Sequence, residues 1–331
     1  MSDSGAAEDA RDLATLVGRL QGLSGLLAKR HIQAAARTFP HQPFPELGAA
    51  AALGDDAAVL PAVAGPLLLA CEGMQPELVA EDPWFAGWSG VLVNLSDIAA
   101  MGGRPLALVN SLWSPGAEAA ERLLAGMRFA CDTFAIPMVG GHANQSSPYP
   151  ALAVAVLGVL DGPALSARAA RAGDDLWLLV NGQGAFYRHY PFWDAATAAP
   201  PERLRAHLAL LPALARAGLA HAAKDVSMGG LAGTAVMFAE AADLALRLDL
   251  AAIPRPPGVG EEAWLCCFPS FGFLLAVPPG QADALRAHLA PYPELLAAPI
   301  GRFAAGSAGV VFERGEERQV LWDGCEALTG F

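Results

Sequence analysis

The chain has 331 residues and carries 21 Lys plus Arg against 33 Asp plus Glu, a formal net charge of −12. That balance excludes a general electrostatic attraction to nucleic acid or to an anionic membrane surface, so any bound phosphate needs local help. Charged residues are 16% and apolar ones 54%, which excludes disorder and implies two domains with apolar surface to spare for a subunit contact.

In chain order, the start MSDSGAAEDARD is acidic and polar where a secretory signal is basic and then apolar. Leu13, Leu16, Val17, Leu20, Leu23 and Leu27 then recur at helical spacing. After a Pro-rich loop the pattern predicts strand Pro66–Cys71, a helix from Pro83 to Met101 and strand Pro105–Asn110. Helix Ala117–Phe134 and strands Pro137–Val139 and Ala151–Leu160 complete a first α/β half, closed by Asp161-Gly162-Pro163. The second half alternates again. It has strand Leu176–Val180, helices near Glu202–His221 and Leu231–Ala242, and strands LALRLDL, FGFLLAV and GVVFE. The expected domains are therefore 1–162 and 163–331. The longest apolar runs fall well short of the ~20 residues of a membrane span. The odd set of five cysteines, with no CxxC, indicates neither a disulfide framework nor a zinc site and suits a reducing cytoplasm.

Several motifs can carry chemistry. Gly54-Asp55-Asp56 sets two adjacent carboxylates ahead of an apolar strand, where they can bind a hard cation such as Mg²⁺ or form a solvated turn. Gly173-Asp174-Asp175 repeats the tripeptide and reads as an ordinary solvated strand entrance. Asn94 and Asp97 lie three apart on the apolar Pro83 helix, facing either a site or a buried hydrogen-bond partner. Glu72 follows its strand directly, the place where open α/β sheets put ligand groups. Gly140-Gly141-His142-Ala143-Asn144 reads as a glycine loop after a strand, able to bring backbone close to a phosphate or substrate, with His142 either a catalytic group on that loop or a plain loop residue. In Lys224-Asp225-Val226-Ser227-Met228, Asp225 is the candidate and Ser227 can be an N-cap. Trp84, Phe85 and Trp88 read as core or dimer packing with substrate stacking as the alternative, Tyr187 to Tyr190 as a polar-aromatic cluster able to flank substrate, and Cys266-Cys267 as a buried pair.

Taken together, GDDAAV and NLSDIAAMGGRPLA, with the intervals to GGH and KDVSMGG, resemble the aminoimidazole ribonucleotide (AIR) synthetase-related family. That family includes thiamine-monophosphate kinase and selenophosphate synthetase. The resemblance implies a two-domain α/β (α+β), PurM-like fold. Its N-terminal domain would form a β-barrel with the same domain of a second copy in a homodimer, and its C-terminal domain would be an α/β sandwich. It further implies Mg-ATP as cofactor and phosphorylation of a small-molecule substrate. Carried over by position, Asp55, Asp56, Glu72 and Asp97 would hold Mg²⁺, Gly54, Asn94, Gly140, Gly141 and Asn144 would lie near the nucleotide, and Asp225 near the triphosphate. The chain departs from the kinase pattern at three places: His142 replaces an Asp, Met228 replaces an Asp, and FPSFGF occupies the region of a substrate loop. These departures favour either a different acceptor or, as the alternative, an ATP-binding regulatory or assembly subunit that has lost turnover.

Overall fold

The computed structural model of the protein describes residues 37–38, 60 and 62–329. The opening helical pattern Leu13–Leu27 and the motif Gly54, Asp55 and Asp56 lie outside the described residues.

The first half is a four-stranded sheet with helices on one face. Its strands are β1 (Leu67–Gly73), β2 (Arg104–Trp113), β3 (Met138–Asn144) and β4 (Ala151–Val159), in the order β1-β4-β2-β3. β4 is antiparallel to both its neighbours, while β2 and β3 run parallel. Alternation along β4 sends Leu152, Val154 and Val156 inward. There they meet α2 (Pro83–Ala100) and α3 (Ala117–Phe134), which follow the short α1 (Pro76–Glu81). α2 begins where Asp82 accepts a hydrogen bond from Phe85 N and Pro83 supplies a preset first turn. Gly87 of α2 and Gly126 of α3 face the partner helix so closely that a Cβ on either would overlap a backbone carbonyl, so these helices pack nearly backbone to backbone.

Among the described residues the other face of this sheet is uncovered. Leu67, Leu69 and Val109 are exposed there, with Cys71 beside them.

The second half is a seven-stranded sheet built from β5 (Asp175–Asn181), β8 (Ala222–Asp225), β9 (Ala245–Asp249), β11 (Gly272–Val277), β12 (Leu295–Ala304), β13 (Gly309–Arg314) and β14 (Glu317–Trp322). Their order is β14-β13-β9-β12-β5-β11-β8. β11, and β5 between its end residues Asp175 and Asn181, are apolar because both faces are covered. Leu176, Leu178 and Val180 pack with α5 (Gly230–Ala242). Trp177 and Leu179 pack on the opposite face against α4 (Pro201–Arg216) and α7 (Ala282–Leu289). Between the halves lies a three-stranded sheet, β6 (Ala185–Phe186), β7 (Phe192–Asp194) and β10 (Phe268–Pro269), preceded by α6 (Glu261–Cys266). One core cluster joins Leu78, Phe85 and Trp88 of the first half to Tyr190, Phe192 and Leu204 of the second.

The β6–β7 turn clasps the first half. Tyr187 Oη donates to Asp82 Oδ2 at 2.6 Å, Arg188 pairs with the same oxygen at 2.6 Å, and Tyr190 Oη donates to Glu81 Oε2 at 2.5 Å. Burial and the bond to Asp82 push the Tyr187 hydroxyl up to about 12, so it stays a donor.

Three local expectations are corrected here. Cys266 is exposed and only Cys267 is buried, because the former ends α6 on its outer side. Asp174 is buried at 1% exposure, accepts from Arg171 N and pairs with His221 at 2.9 Å, so this carboxylate anchors the strand entrance instead of being solvated. The helix after Ser227 is capped by Gly229, not by the serine.

Candidate functional site

A cavity of about 400 Å³ opens between the halves. α2 supplies one wall through Phe85, Trp88, Ser89, Leu92, Ser96 and Asp97, which recur three and four apart and so share one face. β1 brings Glu72 to the same place. Glu72 pairs with Val154, whose side chain points to the helices, so alternation turns Glu72 to that side as well. The second half contributes Phe192, Trp193 and Asp194 from β7, Phe268 and Pro269 from β10, and Lys224 with Asp225 from the end of β8.

Electrostatics mark one end of this cavity. Burial, then the charges of Asp225 and Glu72, push the Asp97 carboxyl up to about 8 against the pull of Lys224. Glu72 is raised by burial and by Asp225, and Asp225 is raised by burial, each opposed by Lys224. Three carboxylates thus face one ammonium, leaving two negative charges unbalanced when all three are ionised. Among the described residues no group of three His, Cys, Asp or Glu side chains is arranged to hold a metal ion alone. The donor chemistry nonetheless suits a hard divalent cation: the oxygens are carboxylate oxygens, and the charge deficit is two.

Of the residues singled out from the sequence, Glu72, Asp97 and Asp225 are therefore brought together, and Asp55 and Asp56 lie outside the described residues. Asn94 takes the second of its two readings, the buried hydrogen bond. It is fully buried, its Nδ2 donates to Gly90 O of its own helix at 2.8 Å, and its Oδ1 has no partner among the described residues. It shares a face with Gly90 and Ile98, which contact β4, so it looks toward the sheet and not into the cavity.

Gly140, Gly141, His142 and Asn144 are also corrected. They form strand β3, not a loop, and His142 aligns with Ser111 on the open face, exposed, its ring 6.2 Å from that of Trp113. The glycines serve strand packing, because a Cβ on Gly141 would sit 2.7 Å from Asn110 O. None of the four lines the cavity.

Phe85 and Trp88 do line it, as do Met228 and the first residues of FPSFGF, which makes those departures part of the site. Phe192, Trp193, Asp194 and Met237 carried no sequence signal, since their three-residue strand or mostly apolar helix has no distinctive period.

The chain, with its two apposed α/β halves, belongs to the AIR synthase related family. Residues 54–160 match the AIR synthase related protein N-terminal domain and residues 171–313 its C-terminal domain. It is similar to an uncharacterized protein of Synechocystis sp., 44% identical over 96% of this chain and 98% of the other. A selenide, water dikinase of Bordetella bronchiseptica is 31% identical over 65% of this chain and 63% of its own length. The crystal structure of thiamine-monophosphate kinase from Stenotrophomonas maltophilia superposes with a TM-score of 0.64 at 27% identity, covering 86% of this chain and 95% of that one. Hydrogenase Maturation Protein HypE in complex with ATP shares the fold, with a TM-score of 0.68 at 22% identity over 88% and 93% of the two chains. The fold is thus the PurM-like one. Among the described residues no helix is long and apolar enough to cross a membrane.

Proposed function

We propose that this chain is an ATP-dependent enzyme that binds Mg-ATP at the Glu72, Asp97 and Asp225 cluster and transfers the γ-phosphoryl group to a small molecule held in the adjoining cavity. The observation that carries the reading is the gathering of three carboxyls, Glu72, Asp97 and Asp225, around Lys224 where the two halves meet, at the edge of a cavity, in a family with ATP-using members. Glu72 and Asp97 would hold the ion, joined by Asp55 and Asp56 of the GDD motif, with Asp225 facing them from the second half. Bound magnesium supplies neutralisation of phosphate charge.

The chain's own groups do the rest. Lys224 sits among the carboxylates, close enough to pair with a phosphate oxygen once they engage a cation. Asp225, made more basic by burial, is placed to take the acceptor's proton. The aromatic walls keep water from the phosphoryl group and hold the acceptor in line. His142, on the far face of the sheet, has no acceptor role in this scheme.

The open sheet face, with Leu67, Leu69 and Val109 exposed beside Cys71, is the surface we assign to a homodimer contact between N-terminal domains, closing a barrel across the axis. Residues 1–162 and 163–331 would be the two domains flanking the cleft. Five free thiols suit the reducing cytoplasm.

The test is ADP release, measured with Mg-ATP against a panel of small alcohols, amines and carboxylates. The reading expects acceptor-dependent ADP that disappears in Asp225→Asn. ATP binding without ADP under any acceptor would instead assign the chain to nucleotide-binding regulation, the reading that the altered Met228 and FPSFGF positions support.

A further inference from the structure

A second cavity, of about 440 Å³, opens at another part of the junction between the halves and shares no lining residue with the first. The start of β2, the turn after α3 and Asp161 form one wall, and α4 forms the other. Arg205, Leu208, Ala209, Pro212 and Arg216 recur three and four apart, so one face of α4 looks into it. Because α4 packs on α2 and α3, the cavity lies on the helix side of the first sheet, away from the uncovered face.

Three guanidiniums line this space, Arg104, Arg205 and Arg216, against one carboxylate, Asp161, and no lysine or histidine. That leaves two positive charges unbalanced, in a chain whose net charge is −12. Each arginine is positioned differently. Arg104 Nε donates to Asp161 Oδ2 at 3.1 Å, and Arg205 Nη1 donates to Thr133 O, in the last turn of α3, at 2.6 Å. Arg216 is seated by its stem: a Cβ on Gly162 would lie 2.8 Å from its Cγ, so the glycine leaves the room that the stem fills. The Arg216 guanidinium has no hydrogen-bond or ion-pair partner among the described residues. Joining the halves accounts for Arg205, which reaches from α4 to α3, but not for a further guanidinium brought beside it.

A guanidinium offers five N–H donors in a rigid planar fork and stays charged at any working pH. The bonds just described use one nitrogen of Arg104 and one of Arg205, so most donors of the three forks are free to converge on a phosphate, the anion that such forks match. Beside them the accessible wall is apolar, with Ile136 and Leu208 half-buried and Ala135 and Ala209 exposed.

We infer that this cavity is a second ligand site, for a small phosphate monoester whose dianion is held by Arg216 together with Arg104 and Arg205 and whose compact apolar body lies on Ile136 and Leu208. A phosphate monoester meets the excess of two charges, whereas a carboxylate supplies one and an alcohol none. The site goes beyond the phosphotransfer reading and does not depend on it, since no residue of the carboxylate cluster takes part.

Calorimetric titrations of the full-length protein in EDTA, without nucleotide and near pH 8, test it with phenyl phosphate, benzoate and 2-phenylethanol as probes. Phenyl phosphate should bind at least about tenfold more tightly than benzoate, and 2-phenylethanol should bind weakest. Arg216→Gln keeps part of the stem on Gly162 and breaks no bond among the described residues. It should weaken phenyl phosphate at least about fivefold while the unfolding midpoint and the affinity for Mg-ATP stay those of the parent. Absence of phenyl phosphate binding, an affinity no greater than that for benzoate, or an Arg216→Gln protein that binds phenyl phosphate as the parent does overturns the assignment. A parent that fails to bind Mg-ATP but shows the Arg216-dependent binding of phenyl phosphate sinks the phosphotransfer reading and leaves this site standing.

Discussion

Replacing Asp97 by Asn should stabilise the metal-free protein, and the gain should depend on pH. The Asp97 carboxyl is carried from 3.8 in a solvated chain to about 8 in the fold. Each unit is worth ~1.4 kcal/mol, so a fully ionised Asp97 costs the fold up to about 6 kcal/mol, and relaxation around it brings the measurable part to about 2–4 kcal/mol. The sign follows from proton binding. Between pH 4 and 8 the folded state keeps a proton that the unfolded state has released, so stability falls as pH rises through that window and levels above it. Asn is close in shape and never ionises. Urea unfolding in EDTA from pH 5 to pH 9 should show Asp97→Asn more stable than the parent at pH 8–9 by ~2 kcal/mol or more, with the gap closing toward pH 5. Magnesium should narrow the gap at high pH by stabilising the parent alone. A gap that is constant with pH, or a less stable Asn variant at pH 8, would refute the electrostatic account of the cluster.

Two further outcomes follow from the fold. Tyr187→Phe removes a 2.6 Å bond to the buried Asp82 and should cost about 1–3 kcal/mol in urea unfolding, since the clasp between halves loses one of its charged-acceptor bonds; an unchanged midpoint would remove the clasp from the account. Leu69→Glu places a charge on a side chain 79% exposed in the single chain; light scattering at micromolar concentration should find the parent in the proposed dimer and the variant a folded monomer. A dimer that survives the substitution would put the subunit contact elsewhere.

What could be read in advance tracks local periodicity. α2 was legible from its Asp82-Pro83 start and its Gly102-Gly103 stop, and α3 from Leu123, Met127 and Phe134 on one stripe. β5 was legible from its apolar run Leu176–Val180 and β11 from FGFLLAV. By contrast β7 and β10 are three and two residues long and pair across a long sequence separation, Phe192 with Phe268, so nothing local announces them. β12 was hidden by Pro299, which its bulge accommodates. The same limit shaped the site. Asp97 and Asp225 could be named because each sits in a motif, and Glu72 because it ends a strand, but the aromatic wall of the cavity depends on rings far apart in sequence. The paired glycines before His142 pointed to a loop, whereas their purpose is close approach to Asn110 across a parallel strand pair.

Isothermal calorimetry of ATP binding, with and without magnesium, on the parent and on Asp97→Asn tests the central claim most directly. The account predicts binding that requires magnesium and weakens at least about tenfold in the variant, because a coordinating carboxylate is lost. Equal ATP affinity in EDTA and magnesium, or an Asp97→Asn protein that binds Mg-ATP as the parent does, would contradict it.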